Sequence, residues 1–196
     1  LWMRGRKAPL YRKRWAERYG FCQGKVVADG IMLHSVSVGE TLAAVPLVRA
    51  LRHRYPYLPI TVTTMTPTGS ERAVSAFGKD VSHVYLPYDL PSSINRFLDQ
   101  VRPKLVIIME TELWPNLITA LHQREIPLVI ANARLSARSA KGYGKLGKFI
   151  QGVMKKITLI AAQNAEDGER FVSLGLKRSH PVSYTHLRAH ETELQL

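Results

Sequence analysis

From Gly30 to Leu176 the chain alternates short, continuous apolar runs with stretches in which apolar side chains recur at helical spacing. The runs Ile31–Ser37, Ile60–Met65, His83–Tyr88, Leu105–Met109, Leu128–Asn132 and Thr158–Ala162 lack clean polar alternation. Strands apolar on both faces belong to a parallel sheet covered on both sides. Helices are expected at Gly39–Tyr55, Gly69–Phe77, Ser92–Val101, Leu113–Arg124, Ala137–Lys156 and Glu166–Leu174, with start signals at Thr68-x-x-Glu71 and Asn164-x-x-Asp167. Six such βα repeats predict one α/β domain, a Rossmann-like doubly wound parallel sheet.

Ligands of such sheets bind beyond the carboxyl ends of the strands, where strand order reverses. In the common order 3-2-1-4-5-6 the reversal lies between the first and fourth strands. The loops after Ser35-Val36-Ser37 and after Ile107-Ile108-Met109 then share a crevice, and each carries carboxylates: Glu40 in the first, Glu110 and Glu112 in the second. Glu40 has two readings. Ser37-x-x-Glu40 is a capping box, in which the carboxylate serves its own helix. Alternatively Glu40 is a general base, with Gly39 allowing another molecule close to the backbone. Glu110 ends an apolar strand, where desolvation and a neighbouring carboxylate raise a pKa and suit proton abstraction. The competing reading makes Glu110 or Glu112 a cap for the helix near Leu113.

Composition sets the class without changing this picture: 45% apolar, 22% charged and 8% aromatic residues describe a globular chain, neither disordered nor disulfide-built. The lone Cys22 has no partner within the chain and fits a reducing compartment. Charge distribution adds more. The net charge of +13 resides in two segments, residues 1–18, with seven cations against Glu17, and residues 134–156, with seven cations and no acid. Both suit an anionic partner. Leu1-Trp2-Met3 and the cations after it read either as the cytoplasmic flank of a membrane helix or as a solvated basic arm. In the second segment Leu146, Phe149, Ile150, Val153 and Ile157 at helical spacing predict a basic amphipathic helix, suited to the sheet, to phosphate or to a membrane surface. Nucleic acid is not expected, because stacking aromatics and an RNP-type motif are missing.

Two motifs are set aside. Gly142-Tyr143-Gly144-Lys145-Leu146-Gly147, with Asp167 beyond it, spells G-x-G-x-x-G but does not join a strand to a helix. His186-x-x-x-His190 with Glu191 has metal-ligand spacing, yet it lies in Pro181–Leu196, which shows no seventh βα unit and resembles an adaptor-derived tail.

Four motifs in order, His34-Ser35-Val36-Ser37-Val38-Gly39-Glu40, Thr63-Thr64-Met65-Thr66-Pro67-Thr68-Gly69-Ser70-Glu71, Glu110-Thr111-Glu112-Leu113-Trp114-Pro115-Asn116 and Asn132-Ala133-Arg134-Leu135-Ser136, resemble the bacterial 3-deoxy-D-manno-octulosonic acid (Kdo) transferases. The likeness covers about Leu1 to Leu176. It implies the N-terminal, acceptor-side half of a two-domain GT-B glycosyltransferase. Such an enzyme moves Kdo from CMP-Kdo to the lipid A precursor, lipid IVA, in lipopolysaccharide biosynthesis, with inversion and at the cytoplasmic face of the inner membrane. The resemblance implies Glu40 as general base and Glu110 as companion carboxylate, with Ser37, Gly39, Arg134, Arg138 and Lys141 against the acceptor.

No metal or cofactor is expected; the donor CMP-Kdo would be bound mainly by a C-terminal domain. Expected partners are the lipid A precursor, CMP-Kdo and an anionic membrane surface. The expected division is a basic juxtamembrane segment at 1–29, an acceptor-binding domain at 30–178 and a non-native tail at 179–196. The donor domain is expected to be absent, together with a catalytic lysine of the family; Arg188 falls near its place but in unmatched surroundings. Lacking an initiating Met, the chain reads as a truncated form, inactive alone. The alternative from another class is a non-enzymatic module that binds anionic lipid or a membrane surface.

Overall fold

The computed structural model describes residues 14–22 and 26–177 and the backbone of 182–184. In chain order the elements are α1 (Trp15–Arg18), β1 (Ile31–His34), α2 (Val38–Arg54), β2 (Ile60–Thr64), α3 (Pro67–Phe77), β3 (Ser82–Tyr85), α4 (Pro91–Val101), β4 (Leu105–Met109), α5 (Pro115–Gln123), β5 (Leu128–Ala133), α6 (Ala137–Gly144), α7 (Lys148–Met154), β6 (Leu159–Ala162), α8 (Ala165–Ser173) and β7 (Val182–Tyr184). The strands form one parallel sheet in the order β3-β2-β1-β4-β5-β6-β7. The expected reversal between the first and fourth strands is present, with Ile31 beside both Ile60 and Leu105.

Both faces of the sheet are apolar, as the continuous runs require. Ile31, Leu33, Ile107 and Met109 pack with α2 and α3 through Ala44, Val48, Ala73 and Phe77. Met32, Val106, Ile108 and Ile130 point the other way, into a larger core with Phe97, Leu117, Met154 and Phe171. Alternate residues of one strand thus enter two different cores, which is why no polar alternation is visible.

Three expectations change. The single helix over Ala137–Lys156 is two, α6 and α7, divided at Gly147, whose φ of 50° is open to glycine but strained for other residues. The expected apolar stripe divides with it: Ile150, Val153 and Ile157 are buried, while Leu146 is 50% and Phe149 58% exposed. Within Pro181–Leu196, expected to lack a strand, Val182–Tyr184 pairs with β6 in register Ile160↔Val182. The β-favouring Val-Ser-Tyr triplet suffices to extend an open sheet edge. The rest of 179–196 lies outside the described residues, as do His186, Arg188, His190 and Glu191.

The basic opening segment is partly structural. Leu1 to Lys13 lie outside the described residues, but Arg14 and Arg18 turn inward. Arg14 pairs with Glu17 at 2.6 Å, and Glu17 in turn accepts from the Tyr85 N–H at 2.7 Å. Arg18 lies 3.8 Å over the Tyr85 ring and donates to the Met65 carbonyl at 2.8 Å. These contacts dock α1 on the β3 edge of the sheet.

Candidate active site

The loop leaving β1 turns at once into α2, and its polar groups are spent on that turn. Ser37 Oγ accepts from the Glu40 N–H at 3.2 Å. The Glu40 carboxylate accepts from the N–H of Val36 at 2.7 Å and of Ser37 at 3.2 Å. The capping box is therefore formed, and Glu40 is 7% exposed. Two accepted bonds leave lone pairs on a carboxylate, which has about four lone-pair positions. Capping and proton acceptance are compatible in one side chain. Gly39 is exposed beside it, and a Cβ there would meet only Ser37 Oγ at 3.9 Å.

The loop leaving β4 faces this turn from the neighbouring strand. Glu110 has a φ of 59°, rare for a residue with a side chain, and its N–H donates to the Ala131 carbonyl at 2.8 Å. Its carboxyl is pushed up from the ordinary range by burial and then by the charge of Glu40, while Arg134 pulls it down. The Glu112 carboxyl is pushed up by burial, then by Glu40 and Glu110. Glu40 thus lies within electrostatic reach of both Glu110 and Glu112, across the β1–β4 reversal of the sheet.

Surrounding contacts hold that loop. Thr111 Oγ1 donates to the Arg134 carbonyl and accepts from the Arg134 N–H at 3.1 Å, tying the β4 and β5 exits together. Asp89, from the loop after β3, accepts from the N–H of Asn116 at 2.9 Å and of Leu117 at 2.8 Å. Neither Glu110 nor Glu112 caps α5, therefore; Asp89 does. Asn132, where the β5–β6 register shifts, also has a positive φ, 57°. Irregular backbone of this kind at the exit of a strand is common beside functional sites.

Beneath the loop, His34 and Trp114 meet edge to face with ring centroids 5.9 Å apart. Thr63 Oγ1 donates to the Leu33 carbonyl at 3.4 Å, so at 2.9 Å it accepts from His34 Nδ1–H, which leaves Nε2 bare. His34 Nε2 and Trp114 Nε1 are both buried without a hydrogen-bond partner among the described residues. Burial pushes His34 down to about 4, with its bond to Thr63 opposing.

Of the residues expected against the acceptor, Ser37, Gly39 and Arg134 lie around the crevice. Arg138 and Lys141 stand exposed on α6, with no contact to its carboxylates given by the structure. The sequence reading missed Tyr143 as a neighbour of the crevice: its hydroxyl is pushed up by burial and by Glu112. It also missed the roles of His34, Trp114, Thr111 and Asp89; the first three stand inside quoted motifs, while nothing in the sequence marks Asp89 as a cap. The G-x-G-x-x-G string lies within α6 and the turn after it. A Cβ on Gly142 or Gly147 would meet nothing within 4 Å, so no closely packed phosphate loop forms there. Among the described residues no group of three or more His, Cys, Asp or Glu could hold a metal ion.

Solved structures define the class. A UDP-GlcNAc 2-epimerase from Neisseria meningitidis matches 79% of this chain and 46% of its own with a TM-score of 0.57 at 11% identity. One from Listeria monocytogenes, described as putative, matches 79% and 44% with a TM-score of 0.55 at 13% identity. At such identities the likeness carries the fold alone: a Rossmann-like half of a GT-B molecule. The family follows from sequence. Residues 13–188 match the family model of 3-deoxy-D-manno-octulosonic-acid transferase (Kdotransferase), and the chain belongs to that family. The match runs past Leu176, where the likeness carried by the four motifs ends.

The 3-deoxy-D-manno-octulosonic acid transferase of Haemophilus influenzae is 57% identical over 171 residues, 86% of this chain and 40% of that protein. The Bordetella pertussis enzyme of the same name is 34% identical over 184 residues, 89% of this chain and 42% of that protein. The chain spans about two fifths of the length of these relatives.

Proposed function

We propose that this chain is the acceptor half of an inverting Kdo glycosyltransferase, moving Kdo from CMP-Kdo to the lipid A precursor. The observation that carries the reading is the convergence of Glu40 and Glu110 at the sheet reversal, close enough for the Glu40 charge to push the Glu110 carboxyl up. Glu40 takes the proton of the acceptor sugar hydroxyl. The hydroxyl oxygen attacks the anomeric carbon of Kdo while the bond from that carbon to the phosphate oxygen breaks, and CMP leaves with the electron pair. Glu110, its carboxyl raised, assists as the companion acid or hydrogen-bond partner. Arg134, close enough to pull Glu110 down, supplies positive charge at the rim.

The donor would be held by the part of the relatives that this chain does not span, since transfer requires donor and acceptor in one geometry. Work at the cytoplasmic face of the inner membrane is part of the proposal. Its support is the acid-free segment of seven cations at 134–156, with Leu146 and Phe149 exposed among them. Among the described residues no helix is long and apolar enough to cross a membrane. The same exposed residues favour the second reading, a lipid-binding module without catalysis.

The deciding experiment supplies the chain with the C-terminal half of the Haemophilus influenzae relative and follows Kdo transfer to a lipid A precursor. Glu40→Gln is expected to lower kcat by about 10²- to 10⁴-fold, the usual worth of a general base. Transfer that survives Glu40→Gln undiminished overturns the assignment. Vesicle binding that needs the lysines, in a chain that never supports transfer, selects the module.

A further inference from the structure

The exits of β1 and β2 lie side by side, and one hydroxyl joins them. Thr66 caps α3: its Oγ1 accepts from the Gly69 N–H at 3.0 Å and from the Thr68 hydroxyl at 3.3 Å. A hydroxyl has two lone pairs and one proton. Both lone pairs are committed within α3, and the proton goes elsewhere, to the Val36 carbonyl at 3.3 Å. Capping needs only the oxygen. The bond to Val36 is additional, and it crosses to the loop that carries Glu40.

The Val36 carbonyl and the Ser37 N–H belong to one planar peptide unit and point in opposite directions. On one side the unit accepts from Thr66; on the other it donates to the Glu40 carboxylate at 3.2 Å. A carbonyl that accepts a hydrogen bond makes its own N–H a stronger donor, and planarity delivers any tilt imposed at the oxygen to that N–H. The approach is close. A Cβ on Gly69 would lie 2.9 Å from Thr66 Oγ1 and 3.2 Å from the Val36 carbonyl oxygen, although Gly69 stands in ordinary helical backbone. The missing side chain there serves space and not conformation. From behind, Arg18 Nη2 donates to the Met65 carbonyl at 2.8 Å and Arg14 Nη1 to Ser70 Oγ at 3.2 Å, so α1 braces both flanks of Thr66.

We propose that Thr66 is a positioning residue for Glu40, holding its carboxylate in place through the Val36–Ser37 peptide unit. The assignment deepens the reading of Glu40 as general base and rests on it. Alone, the Val36 N–H bond to Oε2 at 2.7 Å would let the carboxylate swing about that oxygen. The Ser37 N–H bond to Oε1, backed by Thr66, stops the swing. A base held slightly out of line with the hydroxyl it serves loses rate more than it loses binding.

The test uses the full chain, supplied for transfer with the C-terminal half of the Haemophilus influenzae relative. Thr66→Val keeps the shape and loses the hydroxyl; it is expected to lower kcat about tenfold, the worth of one hydrogen bond, with the KM for acceptor unchanged. Thr66→Ser returns the hydroxyl and is expected to restore most of kcat. Gly69→Ala keeps the hydroxyl but crowds it away from Val36, so the same loss is expected there, and this variant serves if Thr66→Val does not fold. Added to Glu40→Gln, Thr66→Val is expected to lower kcat no further, because both act on one step. The Ser37 amide proton, followed by NMR in the chain alone, needs no transfer. It is expected to move upfield in Thr66→Val and in Gly69→Ala, and to return in Thr66→Ser. A Ser37 amide that stays in place overturns the proposal, as does a loss that falls on KM or adds in full to that of Glu40→Gln; Thr66 then only caps α3. If Glu40→Gln leaves transfer undiminished, the general-base reading falls by itself, and the amide alone decides whether Thr66 holds Glu40.

Discussion

Glu112 sits in a crevice that disfavours its charge: burial, Glu40 and Glu110 all push its carboxyl up. An acid whose pKa is higher in the folded than in the unfolded chain binds more protons when folded, so stability falls as pH rises through that interval. Glu112→Gln is therefore expected to raise Tm, more at neutral than at mildly acidic pH, in paired thermal melts. His34 runs the opposite way. Its neutral ring belongs to the fold, with the pKa lowered from 6.5 to about 4. Its contribution is complete above 6.5 and is lost as pH falls toward 4, at a cost of about 3 kcal/mol for such a displacement. His83, lowered to about 4 by burial and then by Arg14 and Arg18, adds a loss in the same window. His83→Asn is expected to flatten the dependence of stability on pH between 6.5 and 4, read by denaturant unfolding. Gly39→Ala separates packing from recognition: with no internal clash it should stabilise α2 by roughly 0.5–1 kcal/mol while raising the KM for acceptor. The carboxylates were legible as residue types at the ends of apolar runs. The bare nitrogens of His34 and Trp114 were not, because whether a buried atom finds a partner depends on contacts across strands.

At the scale of elements, helix positions followed from periodicity, and boundaries followed less well. The strand expected to reach Ser37 stops at His34, because the residues after it turn to form the Ser37 cap. Apolar spacing ran through Gly147 without interruption, since periodicity records side chains and not the φ of a glycine. Gly147→Ala is accordingly expected to destabilise the chain by about 1 kcal/mol or more, the cost of a left-handed φ with a Cβ. Gly152→Ala, in the same short helix but free of clash, is expected to stabilise it. Urea unfolding of the two variants side by side checks the sign of each. The cap of α5 was illegible for a different reason: Asp89 stands far from Asn116 along the chain, and only the fold brings them together.

For the whole molecule, runs apolar on both faces made a covered parallel sheet legible, and the strand order common to such sheets, which this one follows, then located the crevice at the reversal. The docking of α1 was not legible. Arg14 and Arg18 looked like free cations, yet Arg14 pairs with Glu17, Arg18 donates to the Met65 carbonyl, and both cover Tyr85. Charge counted along a sequence does not separate cations facing solvent from those stitched into a sheet edge.

Asp89 and Glu40 together give the crevice a character that neither has alone. Each plants a negative group at the start of a flanking helix, α5 for one and α2 for the other. Those helix ends would otherwise welcome an anion. With both berths taken from within, the pocket on the proposed reading would suit an uncharged alcohol better than a nucleotide's phosphate, and the departing group would draw its counter-charge from cationic side chains, a dependence that rising ionic strength would expose.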